Sequence, residues 1–377
     1  MQLKLVPFLR RATLADAATE QFVTGLRSDL LAKAARREAI SAEVLSALAS
    51  FCLDCEYVLA ESSEDTAKLE SLDPERSEVE RLMLACFRPI IAEALPIDEV
   101  ASLRPVSDAV SLAVRAQYEE NPYPRWRALG EVPRVDDERD ILVAGCGTGR
   151  EALIAAKSHH RSQIIGLDLS RTSLAYALMR SREFGIENVQ LLQSDILDIS
   201  LLERTFDEIK CSGVLHHMAE PLTGLLALKS VLKPGGTMKV MVYSKTARRQ
   251  TLEAIALRKE RGIQPTNDEI RCFRQEIFAL PADHPARAVV GSSDFYSISG
   301  TRDLLFHVQE HNFTIPEVAA LIGRAGLKMI RFGTGQKPEA RFRQMGFSDF
   351  SDLAAWEKTE ERYPGTFSNM YGFVVGL

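Results

Sequence analysis

The sequence has no run of about 18 apolar residues, so no membrane-crossing helix is expected. It has no excess of positive charge. Its 46 Lys and Arg face 52 Asp and Glu, a formal net charge of -6, which argues against general affinity for nucleic acid or an anionic membrane. The opening "MQLKLVPFLRRATLADA" lacks the apolar run of a secretory signal, so a cytoplasmic location is expected. Cysteine is sparse. The six, Cys52, Cys55, Cys86, Cys146, Cys211 and Cys272, are expected to be reduced thiols in a chain without an export signal. Cys52 and Cys55 form one CxxC inside a helical pattern, with no second pair and no nearby His cluster. That favours packing over zinc or redox chemistry, and no metal site is expected. Aromatics make up only 7% of the chain, which makes "QYEENPYPRW" at 117–126 conspicuous. It holds Tyr118, Tyr123 and Trp126 among two acids and two prolines, too stiff for a flexible linker.

What is present divides the 377 residues into more than one compact unit. Residues 1–113 carry apolar residues at three- and four-residue spacing and no strand-like alternation, which predicts a helical domain. Pro89 should kink or split its third long helix, and Pro96 should end it. Residues 114–134 are the aromatic and proline-rich connection. From 135 to 245, short apolar runs alternate with helical patterns: "RDILVAGCGTG", "SQIIGLDLS", "ENVQLLQSDILD", "FDEIKCSGVLHHM" and "TMKVMVYS" read as five buried parallel strands. Alternation of this kind predicts an α/β, doubly wound, Rossmann-like sheet. Residues 246–313 break the rhythm with two helices and a Ser/Gly-rich loop, a helical insertion after the fifth strand that would cap the site. Residues 314–377 resume the core. Their first helix opens with Thr314 and Glu317 at capping-box spacing and closes at Gly326.

The chemistry concentrates at the strand ends. Gly145, Cys146, Gly147 and Gly149 form a GxGxG loop after the first strand, where backbone amides and the following helix N-terminus can meet an anionic or polar ligand. A dinucleotide fingerprint wants a third small residue at 150, and 150 is Arg. Asp168, followed by Leu169, ends the second strand, where a carboxylate accepts both ribose hydroxyls. Asp195 ends the third, placed to accept from an adenine amino group, with Ile196 beside it for the ring. Helix capping or turn formation is the alternative for both acids, and three strand ends in order, each with a suitable group, weigh against it.

Together these segments, with "LKPGGTMKVMVYS", resemble the class I S-adenosylmethionine-dependent methyltransferases. The resemblance covers about 135–245 and resumes over 314–377. It implies S-adenosyl-L-methionine as cofactor, packed on Gly145, Gly147 and Gly149, with Asp168 on the ribose and Asp195 on the adenine. It also implies that Ser212 and Leu215, at the end of the fourth strand, line the methionine end. "YEENPYPRW" and "FHVQEHNFTIPEVAALIGRAGL" are similar to bacterial methyltransferases fused to tetratricopeptide-type repeats, which would make residues 1–113 a shortened repeat module.

Methyl transfer needs a positioned nucleophile and, where that nucleophile is protonated, a base. His216 and His217 follow the fourth strand and are the candidate bases; one of a His pair commonly packs instead. Tyr118 and Tyr123 are expected to form a lid over the cofactor, with Tyr118 a further catalytic candidate. Glu119, Glu120 or Arg125 would reach the cofactor's amino or carboxylate group, and Trp126 would brace the lid. Tyr243, Arg248 and His307 flank the insertion and are the candidate substrate contacts. The expected activity is methyl transfer to an O, N or C nucleophile of a small molecule or protein side chain. The alternatives are a non-catalytic adapter that binds the cofactor and uses residues 1–113 to hold a protein partner, and a nicotinamide-dependent oxidoreductase, which Arg150 disfavours.

Overall fold

The computed structural model describes residues 2–90 and 94–377. The first helices are α1 (Gln2–Arg11), α2 (Ala17–Ala35), α3 (Ala42–Asp54), α4 (Ser63–Leu69) and α5 (Glu78–Ala85). A two-residue strand β1 (Ala101–Ser102) and helix α6 (Ala109–Glu120) lead into the sheet. Then follow β2 (Asp140–Ala144), α7 (Arg150–Ser158), β3 (Gln163–Asp168), α8 (Arg171–Glu183) and β4 (Val189–Gln193). The second half of the alternation is β5 (Phe206–Ser212), α9 (Pro221–Ser230) and β6 (Leu232–Tyr243). Helices α10 (Arg249–Glu260), α11 (Asn267–Ala279) and α12 (Ile298–Phe306) come next. The chain closes with α13 (Ile315–Arg324), β7 (Lys328–Phe332), α14 (Gln336–Gln344), α15 (Leu353–Arg362) and β8 (Met370–Gly376).

Two compact units emerge, and both are discontinuous. The first joins 1–94 to 250–306; the second joins 95–249 to 307–377. The boundaries therefore differ from a division at 113, 246 and 313. Residues 95–113 go with the sheet because β1 pairs with β4 and Arg171 Nη2 donates to the carbonyls of Ile97 and Val100. The insertion does not stand alone. Leu31, Leu48, Phe51 and Met83 share one hydrophobic cluster with Ile270, Phe273, Phe295 and Phe306.

The first unit is helical throughout its described residues. Its α1–α5 run 10, 19, 13, 7 and 8 residues, so no regular two-helix repeat is visible. Helix α5 stops at Ala85, ahead of Pro89, and part of the third long helix read from the sequence, 91–93, lies outside the described residues. Cys52, Cys55 and Cys86 are buried free thiols. Burial pushes all three up, Cys86 to about 12, which leaves them unreactive at neutral pH. Arg274 is fully buried. Its Nη2 lies 2.6 Å from Glu20 Oε2, its Nε donates to the Phe295 carbonyl at 2.6 Å, and its Nη1 donates to the Val58 carbonyl at 3.0 Å.

In the second unit, eight strands form one sheet in the order β1-β4-β3-β2-β5-β6-β8-β7. All neighbours are parallel except β8, which runs antiparallel between β6 and β7. Chain direction across the sheet reverses between β2 and β5, the place where open α/β sheets bind ligands beyond the carboxyl ends of their strands. The core strands are buried on both faces, as their continuous apolar runs predict. Strand β6 begins at Leu232, earlier than the expected Thr237, because Leu232 already pairs with Phe206 and the register then shifts across Pro234 and the two glycines.

The glycine loop requires its glycines. Gly145, Gly147 and Gly149 have φ of +68°, +53° and +82°. A Cβ at 149 would overlap the Ala177 methyl group, and Ala177 sits fully buried on α8. Gly149→Ala therefore meets both the left-handed penalty and overpacking, together about 2–5 kcal/mol. A clear fall in the urea unfolding midpoint is expected; an unchanged midpoint would show that α8 yields freely.

Candidate active site

Asp168 stands at the end of β3 beside the glycine loop. Its Oδ2 accepts from the Gly147 amide at 2.7 Å and its Oδ1 accepts from the Ser170 amide at 2.9 Å. Each oxygen keeps a further acceptor position for a ligand hydroxyl. Burial is the largest influence on this carboxyl and pushes it up to about 6; the two amides pull the other way, and the Glu119 charge adds to the rise. Asp195 Oδ1 accepts from the Leu197 amide at 3.0 Å, so it caps the short 3-10 helix Ile196–Leu202 and leaves Oδ2 for other partners. Ile196 is buried beside it, and Cys146 is buried under the loop. Leu169 offers its carbonyl to Gln193 Nε2 at 2.9 Å. Ser212 ends β5 with its Oγ buried and without a partner among the described residues. Leu215 is fully buried in the sheet's own hydrophobic cluster, so it packs the fold and does not line an open methionine pocket.

The aromatic segment lies where a lid would. Its first residues finish α6, and 121–126 cross the glycine loop. A Cβ at Gly147 would come to 3.0 Å from the Tyr123 carbonyl, so these backbones are nearly in contact. Thr148 Oγ1 donates to the Pro124 carbonyl, and Trp126 Nε1 donates to the Thr148 carbonyl at 3.0 Å. Trp126 is a buried brace, packed edge-on against Tyr176. Glu119 does not face the loop as a cofactor contact. Its carboxylate accepts from the Arg171 amide at 3.0 Å and the Thr172 amide at 2.9 Å, capping the start of α8. The sequence carries no capping pattern for this pairing because the cap comes from α6, some fifty residues upstream.

A histidine cluster fills the carboxyl end of β5. His216 is fully buried, its Nδ1 accepts from the Tyr243 amide at 3.3 Å, and its ring stacks on Tyr243 at 3.7 Å. That enclosure removes it from the candidate bases. Tyr243 is likewise enclosed, between His216 and the Arg248 guanidinium, which lies 3.6 Å from its ring centroid. Arg248 is fully buried, with Nη2 2.7 Å from Glu310 Oε2 and Nη1 donating to Asn369 Oδ1 at 3.2 Å. Both are corrections to their reading as substrate contacts: a guanidinium committed to a buried carboxylate is not a substrate clamp. His217 Nδ1 lies 2.7 Å from the Gln309 carbonyl, and its ring stacks on His307 at 3.4 Å. Burial, then the neighbouring His216 and His307, hold His217 well below the usual imidazole range, so it is neutral at neutral pH. Tyr118 Oη lies 3.3 Å from His307 Nε2, which joins the end of α6 to this cluster. Gln309, missed in the sequence, gives no local signal, since its backbone rather than its side chain makes these contacts.

A family model described as a methyltransferase domain matches residues 136–273. An uncharacterized protein of Synechococcus sp. is 30% identical over 288 residues, which span 67% of this chain and 68% of that one. The chain belongs to the class I S-adenosylmethionine-dependent methyltransferases. Its cofactor is S-adenosylmethionine, which the left-handed glycine loop, the Asp168 oxygens and the unpartnered Ser212 Oγ suit. Among relatives of this methyltransferase, the demethylmenaquinone methyltransferase of Clavibacter sepedonicus is 33% identical over 32% of this chain and 47% of its own length. The chain thus spans about half the length of that curated relative. Among solved structures, the protein titled PKMT2 from Rickettsia typhi is 15% identical, covers 72% of this chain and 54% of its own, and has a TM-score of 0.49. No described helix of this methyltransferase is long and apolar enough to cross a membrane.

Proposed function

We propose that this chain catalyses transfer of the S-adenosylmethionine methyl group to an oxygen or nitrogen nucleophile of a small molecule or protein side chain. The observation that carries the cofactor half is the Asp168 carboxylate, which pins the Gly147 amide and keeps acceptor positions for the ribose. Asp195 and Ile196 hold the adenine, Ser212 Oγ meets the methionine end, and Tyr118 to Trp126 exclude water from above the loop. When bound, the cofactor supplies an electrophilic methyl group on a sulfonium. The chain's part is to place the nucleophile in line and to receive its proton at His217 Nε2, the ring nitrogen that the Gln309 carbonyl does not engage.

Calorimetric titration with S-adenosylhomocysteine tests the first half. Asp168 must be ionised to accept two hydroxyls, and its carboxyl sits at about 6. Affinity is therefore constant above about pH 7 and falls about tenfold by about pH 5. The sign for folding is opposite. A raised carboxyl stabilises the free protein only below its ordinary range and loses that contribution as pH rises through about 6. Asp168→Asn should erase the pH step in binding. A flat profile in the native protein would separate Asp168 from the ligand. Labelled methyl donor offered with fractionated lysate then tests turnover; binding without label transfer to any fraction would favour the adapter reading.

A further inference from the structure

We propose that Gln309 is a positioning residue for the transfer: its backbone carbonyl and amide hold His217 and His307 in opposite tautomers, which leaves His217 Nε2 as the bare atom that takes the acceptor's proton. This rests on the methyltransferase reading above. The assignment follows from donor and acceptor chemistry. The Gln309 carbonyl can only accept, so His217 Nδ1, 2.7 Å away, carries the hydrogen. The neutral ring then has its lone pair on Nε2. The Gln309 amide can only donate, and it donates to His307 Nδ1 at 3.2 Å. His307 therefore carries its hydrogen on Nε2, facing Tyr118 Oη at 3.3 Å.

One residue's two backbone groups thus set two stacked imidazoles in opposite senses. The arrangement also serves the charged form. After the transfer, the new bond joins the nucleophile to the methyl carbon, the electron pair of the broken carbon–sulfur bond stays on sulfur, and the nucleophile's proton resides on His217 Nε2. The resulting imidazolium donates from Nδ1 to the Gln309 carbonyl in a charge-assisted hydrogen bond and lies against the neutral His307 face at 3.4 Å. His216 cannot substitute, since its Nδ1 is already an acceptor for the Tyr243 amide and its ring has no exposed surface.

Long-range proton–nitrogen correlation spectra of the full chain labelled with nitrogen-15 histidine test this without an acceptor. Near neutral pH, His217 should show one protonated Nδ1 and a bare Nε2, and His307 the reverse. Gln309→Pro removes the amide and keeps the carbonyl. It should cost His307 its single tautomer while His217 keeps Nδ1–H. A His217 protonated at Nε2, or exchanging between tautomers in the native protein, overturns the proposal even if the proline variant fails to fold. So does a folded Gln309→Pro protein whose His307 stays fixed. Titration of the same sample with S-adenosylhomocysteine separates the two readings. Binding with the wrong tautomers sinks only this inference, whereas no binding sinks the methyltransferase reading itself.

Discussion

Asp168→Ala should weaken S-adenosylhomocysteine binding by at least about 100-fold, beyond the reach of routine calorimetry. A hydrogen bond to a charged group contributes about 1.5–3 kcal/mol, and the ribose supplies two, so the direct loss is about 3–6 kcal/mol, or roughly two to four powers of ten. A second loss comes before the ligand arrives. The carboxylate also accepts from the Gly147 and Ser170 amides, and without it the Gly147 amide loses its acceptor. The loop then has no reason to hold the left-handed geometry at Gly147 that keeps it against the Tyr123 carbonyl. Asp168→Asn retains one acceptor oxygen and should fall between. Affinity of the alanine variant within threefold of the native value would mean that the ligand sits elsewhere.

Arg274→Ala should destabilise the helical unit by about 3–5 kcal/mol, the usual consequence of removing one partner of a buried ion pair. The guanidinium has no exposed surface, and it neutralises Glu20 through contacts of 2.6 and 3.4 Å. It also satisfies the carbonyls of Phe295 and Val58, on two different stretches of chain. Alanine strands a buried carboxylate and both carbonyls at once. Hydrogen exchange should report the loss in α2 and α11, the helices that carry Glu20 and Arg274. Replacing both charges, Arg274→Met with Glu20→Leu, should cost much less, because nothing is left uncompensated. A single alanine variant within about 1 kcal/mol of native would show that water reaches Glu20.

The sheet was readable because its signals are local. Five apolar runs, the Thr314–Glu317 capping box, and glycines at 185 and 326 with φ of +62° and +61° all act within a few residues. The places of Asp168 and Asp195 in the fold were readable for the same reason, each following a strand run. What escaped depends on long-range contact. The two-residue edge strand β1 exists only because β4 offers it a partner. Helix α14 is a polar, charged stretch whose one buried anchor, Phe342, stacks on Trp356 at 4.1 Å. Arg248 looks like a surface cation in sequence and is a core residue in space, because Glu310 and Asn369 lie far along the chain. The Gln309 peptide belongs here too, since backbone groups leave no mark on residue choice.

The division into two interrupted units sets an order on synthesis. As the chain emerges, α1–α5 appear without the helices that complete their cluster, and strands β1–β6 leave the ribosome before α11 and α12 can cover Leu31, Phe51 and Met83. The sheet also waits, because β8, which fills the place between β6 and β7, follows β7 in the chain. Neither half of the protein can finish before the other has been mostly spoken. A nick between residues 94 and 95 would leave α1–α5 on a different fragment from the helices that complete their cluster, so a cut at that boundary would not release a self-sufficient unit.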